Sequence, residues 1–238
     1  FNPVNPAIVF IGSDVGLYRS TDTAANFTQV SSGGVWTDID VSLSNPTICY
    51  AARHPSWNGN NGQIYKSTNS GATWTQVSTG LSANMRIGKV MVHPTNPSIV
   101  YFVSGKSRFS NGTEALYRST DGGVTWTQLA ASLSGIVDCV LDQTTPTTLY
   151  VSVTGSGVHK STNDGAAWSL QTSNVGRIFL NRTNPQVLRL INTNGVWETT
   201  NGGTTWAQKS AKASWDQGFT PTWNYETNNG LLCTYDED

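Results

Sequence analysis

The chain has 238 residues, of which 12% are charged, and a formal net charge of −1. This balance excludes a basic nucleic-acid footprint and an acidic solvating tail, and no apolar run is long enough to span a bilayer, so neither nucleic acid nor membrane insertion is expected. Three cysteines (Cys49, Cys139 and Cys233) cannot form a fully paired set; each sits in an apolar strand-like run and reads as a buried thiol.

In chain order, the first run is "NPAIVF" (5–10), an Asn-Pro turn feeding a β-branched strand. "LYRSTDTAANFTQV" follows from Leu17. The second unit holds "DIDVSL" (38–43), "NPTICY" (45–50), a long loop "RHPSWNGNNGQ" (53–63) and "IYKSTNSGATWTQV" from Ile64. The third holds "KVMVHP" (89–94), "NPSIVY" (96–101), a second long loop "SGKSRFSNGTEA" (104–115) and "LYRSTDGGVTWTQL" from Leu116. The fourth reads "VDCVLD" (137–142), "TPTTLY" (145–150) and "VHKSTNDGAAWSLQ" from Val158. The fifth reads "NPQVLR" (184–189) and "VWETTNGGTTWAQK" from Val196, and the chain closes on "TPTWNYE", "TNNG" and "LLCTY".

A phrase that returns five times is a structural unit. Each unit reads as strand A, an Asn-Pro turn, strand B, a variable loop, strand C, a tight turn and strand D. The alternation in strand A fits burial on one face. Four antiparallel strands per unit make a blade, so the fold class is all-β, a β-propeller, with no helical stretch. The units run 1–37, 38–86, 87–136, 137–175 and 176–216, with 217–238 starting a further blade or closing the ring, all within one domain over 1–238. Both termini fall inside a blade, which leads to the expectation of a window from a larger six- or seven-bladed propeller.

The C–D turn needs a side chain that accepts backbone N–H bonds: Asp22, Asn69, Asp121, Asn163 or Asn201. It needs glycine where φ turns positive, at Gly71, Gly123, Gly165 and Gly203. A hydroxyl precedes it (Ser20, Ser67, Ser119, Ser161, Thr199), and an aromatic residue closes it (Phe27, Trp74, Trp126, Trp168, Trp206). The first copy puts Ala24 at the glycine and Asn26 at the threonine, which predicts a distorted turn there.

These residues spell Ser-x-Asp-x-Gly-x-Thr-Trp, and the chain resembles the Asp-box, or BNR-repeat, propellers over almost its whole length. That group includes sialidases, sortilin-type receptors, photosystem assembly factors and xyloglucan-degrading glycoside hydrolases, and the resemblance implies a structural role for the box. The motifs "FNP…SDVGLYR", "SWNGNNGQIYKSTNSGATW" and "ANMRIGKVMVHPTNPSIVYF" make the first half most similar to the N-terminal propeller of the xyloglucan-degrading hydrolases. In that family an Asp shortly after a loop Trp acts in catalysis. Here the matching region is "VWTDIDVSL", with Asp38 as the nearest candidate and Asp40 next, although Thr37 falls at the aligned position. The resemblance places the second carboxylate on another propeller.

In an up-and-down blade the A–B and C–D turns share one face, and the variable B–C and D–A loops share the other. Function is expected on the variable face of such a rigid scaffold. Candidate ligand-binding residues there are Trp36, Arg53, Trp57, Asn58, Arg108 and Trp215, because an apolar ring beside polar groups suits a sugar. Trp36 and Trp215 each lie nine residues after their box aromatic, a shared register that equally fits packing between blades. Arg19 and Arg118 recur in the strand C phrase and read as framework. The Arg-Ile-Pro signature of sialidases is absent, His54, His93 and His159 show no metal spacing, and no phosphate loop or serine elbow occurs, so no cofactor or metal is expected. Sequons occur at Asn26, Asn111 and Asn181.

The composition, rich in Ser, Thr, Asn and Gly, is common on secreted proteins. The expectation is therefore a non-catalytic secreted or cell-surface propeller module that binds a glycan or a protein partner. The alternative is a polysaccharide hydrolase of xyloglucanase type, with Asp38 in an acid/base role, or a fragment of one.

Overall fold

The computed structural model describes residues 1–55, 61–78, 81–82, 85–104, 114–211, 219–224 and 229–234, the last two ranges as strands alone. By contact the chain divides into two units, Phe1–Gly135 and Ile136–Asp238. Every regular element among the described residues is a strand, so no helix there is long and apolar enough to cross a membrane.

In the first unit, β1 (Val9–Gly12), β2 (Gly16–Ser20) and β3 (Thr28–Ser32) form a three-stranded sheet. The next sheet has four strands: β4 (Val35–Val41), β5 (Cys49–His54), β6 (Gln63–Ser67) and β7 (Thr75–Gln76). The third has β8 (Ile87–Val92), β9 (Val100–Ser104), β10 (Ala115–Ser119) and β11 (Thr127–Leu129). In the second unit, β12 (Ile136–Leu141), β13 (Leu149–Val153), β14 (Gly157–Ser161) and β15 (Ser169–Thr172) make one sheet. β16 (Arg177–Leu180), β17 (Leu188–Asn192), β18 (Gly195–Thr199) and β19 (Ala207–Ala211) make another, and β20 (Phe219–Asn224) pairs with β21 (Asn229–Thr234). All pairings are antiparallel between strands consecutive in the chain, the meander of propeller blades.

Each unit packs blade on blade. β4 lies against β8, and β12 against β16. Between the second and third blades Tyr50, Ala52, Ile64, Ile87, Val90, Val100 and Phe102 are fully or almost fully buried. Phe102 stacks on Tyr117 with ring centroids 4.8 Å apart and meets Trp126 edge-on at 4.8 Å. In the second unit Tyr150, Val158, Ile178, Leu188 and Leu190 form the matching seam. β9 and β13 are buried at every residue, so these central strands are packed on both faces rather than on one.

The tight turns carry a fixed set of hydrogen bonds. In the third blade Ser119 Oγ donates to Asp121 Oδ1 (2.7 Å), Gly123 N donates to Ser119 Oγ (2.8 Å), and Thr125 N donates to Asp121 Oδ1 (2.9 Å). Two consecutive residues take positive φ: Gly122 at 75° and Gly123 at 97°. The first of these positions is not reserved for glycine, since Thr23, Ser70 and Asp164 hold φ of 59°, 56° and 59° there. The second is demanded twice, by φ and by space: a Cβ on Gly123 would lie 2.7 Å from Val77 Cγ2 of the preceding blade. The indole N–H of Trp126 donates to Gly123 O (3.0 Å), and Trp74, Trp168 and Trp206 repeat that bond. The first blade corrects the sequence-based expectation of a distorted turn. Ala24 holds φ 69°, its N–H reaches Ser20 Oγ (3.0 Å), and Asn26 N reaches Asp22 Oδ1 (2.9 Å), so the turn keeps its hydroxyl and carboxylate bonds, lacks only the indole bond that Phe27 cannot make, and bears the strain locally.

Side-chain hydrogen bonds from Asn26 and Ser20 hold the Asp22 carboxyl down at about 2, and those from Thr125 and Ser119 do the same for Asp121. Both values lie below the ordinary 3.8, so the ionised form favours the fold. That contribution is complete above the unfolded value and is lost as pH falls through about 2. Asn69, Asn163 and Asn201 hold the same turn without a charge. A double Asp22→Asn, Asp121→Asn variant therefore folds at neutral pH, and its urea midpoint declines less steeply between about pH 4 and about pH 2 than that of the parent chain. Identical declines would remove these carboxylates from the acid sensitivity.

Candidate functional site

The two faces of the blades differ in how much of their polar chemistry is already committed. On the turn face, the first positive-φ residue of each box donates its N–H to the A–B turn of its own blade: Thr23 to Ala7 O, Ser70 to Thr47 O, Gly122 to Ser98 O, Asp164 to Thr147 O and Gly202 to Gln186 O. The carbonyls there accept from the preceding blade. Arg19 Nε donates to Ser70 O (2.7 Å), Lys160 Nζ to Gly202 O (3.0 Å) and Tyr150 Oη to Gly202 O (2.9 Å). Tyr50 Oη donates to Pro97 O (2.9 Å). Arg19 and Lys160 are thus framework, and the tight-turn face offers few open groups to a ligand.

The loop face of the second and third blades is built differently. A β-bulge between Trp36 and Asp38 breaks the alternation of β4 just after the Gly33–Gly34 turn, where both glycines have positive φ. A Cβ on Gly34 would meet the Arg53 guanidinium and the His54 carbonyl, so the turn is closed around Arg53. Arg53 Nε donates to Gly33 O (3.1 Å) and Nη1 to Gln63 Oε1 (2.6 Å). Its guanidinium lies 5.9 Å from the Trp36 ring centroid and 5.8 Å from that of Tyr65, a cation over two aromatic rings. Trp36 itself is 4% exposed, packed on Tyr65 and Trp74, with its indole N–H on Gly33 O (3.1 Å). Of the two roles its register allowed, this geometry is that of packing, and the half-buried Arg53 and Tyr65 are what reach the rim.

Beside this stack Ile87 O accepts from Thr37 Oγ1 (2.8 Å) and from His54 Nε2 (3.0 Å). A carbonyl partner requires the proton on Nε2, which leaves Nδ1 of the buried ring as an acceptor. Burial holds the His54 pKa below its ordinary value against that hydrogen bond, and the Arg86 charge pushes it further down, so the ring is neutral at neutral pH.

Asp38 and Asp40 lie one residue apart on β4, half-buried, and both face β8. Asp38 Oδ2 accepts from Val90 N (2.9 Å), Asp40 Oδ2 from Val92 N (2.7 Å), and Asp40 Oδ1 from Val41 N (3.0 Å). The second unit repeats the device: Asp138, at the register of Asp38, accepts from Ile178 N of β16 (2.8 Å) and from Cys139 N (2.8 Å). These bonds supply the edge N–H groups of a neighbouring innermost strand with charged acceptors. Sequence reasoning missed this role, although Asp138 at the same offset before "NP" or "TP" was a readable signal. Trp57, Asn58, Arg108 and Trp215 lie outside the described residues. Among the described residues no three His, Cys, Asp or Glu side chains converge to hold a metal.

The model of the Sortilin-Vps10 family (sortilin, neurotensin receptor 3) matches residues 15–155, more than half of the chain. No curated protein matches the sequence. Among solved structures, an ancestral GH74 enzyme superposes with a TM-score of 0.72 at 20% identity, covering 98% of this chain and 33% of that one. The GH74 xyloglucanase from Xanthomonas campestris gives 0.71 at 15% identity over 92% and 39% of the two chains. A GH74 enzyme from Niastella koreensis gives 0.68 at 23% over 88% and 37%. The chain thus spans between a third and two-fifths of the length of these enzymes, and at such identities the likeness is one of fold.

Replacing Asp38 with Ala leaves the Val90 N–H without its acceptor and costs about 1–3 kcal/mol of stability, read as a lower urea midpoint. Asp38→Asn keeps an acceptor oxygen and costs less. Equal midpoints for parent and Ala variants would show that the bond to β8 contributes nothing.

Proposed function

The chain belongs to the Sortilin-Vps10 family, and from that membership and the fold we propose that it acts as a non-catalytic, secreted or cell-surface propeller module that holds a glycan or a protein partner on its B–C and D–A loop face. The observation that carries this reading is the engagement of Asp38 and Asp40. An acid or nucleophile in glycoside hydrolysis must present an oxygen to the scissile bond and act with a second carboxylate. Here an oxygen of each carboxylate is bound to the backbone of β8, which suits holding blades together. The loop face offers binding chemistry instead: Arg53 braced over Trp36 and Tyr65, with Gln63 beside it, and in sequence Trp57 and Asn58 in the adjoining loop, Arg108 in the next and Trp215 in the last. Rings with nearby hydrogen-bonding groups suit the two faces of a sugar, and a cation on an aromatic platform suits a polar partner.

The likeness of fold to GH74 enzymes favours a second reading, a polysaccharide hydrolase acting on a β-glucan such as xyloglucan with Asp38 as acid or base. One experiment separates the two. The full chain is applied to a glycan array and, in parallel, to a reducing-sugar assay on soluble β-glucans. Binding without release of reducing ends, weakened about tenfold by Trp57→Ala, supports the binding module. Turnover that Asp38→Asn abolishes at an unchanged urea midpoint supports the hydrolase. Neither binding nor turnover, with Trp57→Ala silent, removes the glycan from both and leaves a protein partner or a pure scaffold whose tryptophans all pack.

A further inference from the structure

The fourth and fifth blades hold a cavity that the reading above does not use. It measures about 330 Å³ and lies where the D–A loop joining the two blades meets the B–C turn of the fifth, at the small end of ligand-binding cavities. Its walls are aliphatic: Val137, Val175 and Ile191. Val137 stands at the bulge of β12 and is 37% exposed. Gly176 completes the wall, because a Cβ there would run into the Ile191 carbonyl and push the loop away from β17.

A count of the polar groups shows which remain open. The Gly176 N–H is committed to Ser152 Oγ (3.0 Å). The Asn192 amide donates to Val175 O (2.9 Å), and its Oδ1 accepts from Asn194 N (2.9 Å). Among the side chains of the lining, what remains is the Thr193 hydroxyl and the guanidinium of Arg177, the first residue of β16 and opposite Ile191. Arg177 is exposed and has no hydrogen-bond or ion-pair partner among the described residues.

We propose that this cavity binds a small carboxylic acid anion with an aliphatic body, the carboxylate on Arg177 and the alkyl chain against Val137, Val175 and Ile191. A guanidinium presents its N–H groups as a planar fork that matches a carboxylate. A phosphate has no alkyl body to set against the three aliphatic walls. A sugar calls for a ring to stack on, and none of the described residues that line the cavity is aromatic. Three aliphatic walls suit a short branched chain.

The test is amide NMR of the full chain titrated with isovalerate and, separately, with isoamyl alcohol, which has the same alkyl body without the charge. Isovalerate shifts the amides of Gly176, Ile191 and Thr193 to saturation, the alcohol binds at least about tenfold more weakly, and added salt weakens the acid alone. Arg177→Gln loses about tenfold in affinity, and Val137→Asp, which sets a like charge against the ligand, abolishes binding. Both positions are exposed, and the amide spectrum of each variant reports its fold. Unmoved amides, equal affinity for acid and alcohol, or an Arg177→Gln variant that binds like the parent would overturn the proposal. The comparison of acid with alcohol needs only the parent chain.

Discussion

Two consecutive residues in left-handed conformation at the end of strand C set the geometry on which the rest of this fold hangs. They point one N–H at the A–B turn of the same blade, and through the Asp or Asn side chain they bind the backbone that follows. They also turn carbonyls outward: that of Gly123 receives the Trp126 indole, and those of Ser70 and Gly202 receive donors from the blade before. A single turn thus couples a sheet to itself and to its neighbour. The cost of left-handed backbone at Thr23, Ala24, Ser70 and Asp164, of order 1 kcal/mol or more each, persists because the surrounding bonds over-determine it.

The strands add a second layer of coupling. A tyrosine on strand B pairs across the ladder with a cation on strand C: Tyr50 with Lys66, Tyr101 with Arg118 and Tyr150 with Lys160. The cation lies 5.2–5.8 Å from each ring centre. Asp38, Asp40 and Asp138 join innermost strands in the opposite sense, accepting from the blade that follows. Polar side chains therefore do much of the joining in a protein with so little charge, while the variable loops at the other end stay outside this accounting.

The sequence showed the repeat, the strand order and the turn chemistry, because glycine, hydroxyl and carboxyl or amide side chains at fixed offsets are local signals. The antiparallel blades and the bonds within each turn follow that reading, and the match to the Sortilin-Vps10 family and the likeness to GH74 folds agree with it. What the sequence hid is what depends on the neighbouring blade. "VWTDIDVSL" gives no sign that Asp38 and Asp40 meet the N–H groups of Val90 and Val92, some fifty residues away. Trp36 lay between two roles because its register specified a position and not an exposure. Ala24 misled because a breach of the glycine rule suggested distortion, whereas the bonds around it outweigh the rule.

In the fifth blade the aromatic–cation pair is rewritten. Arg189 stands at the tyrosine position and Glu198 at the cation position; they join at 2.8 Å, and Lys209 meets the same carboxylate at 3.2 Å. The charge that Arg19 and Lys160 extend to the next blade is here turned inward. Among the described residues of this blade, two cations therefore converge on the one carboxylate of Glu198. For anyone shuffling repeats or grafting a foreign segment into this protein, Arg189 and Glu198 must travel together, since these two largely buried charges are matched to each other.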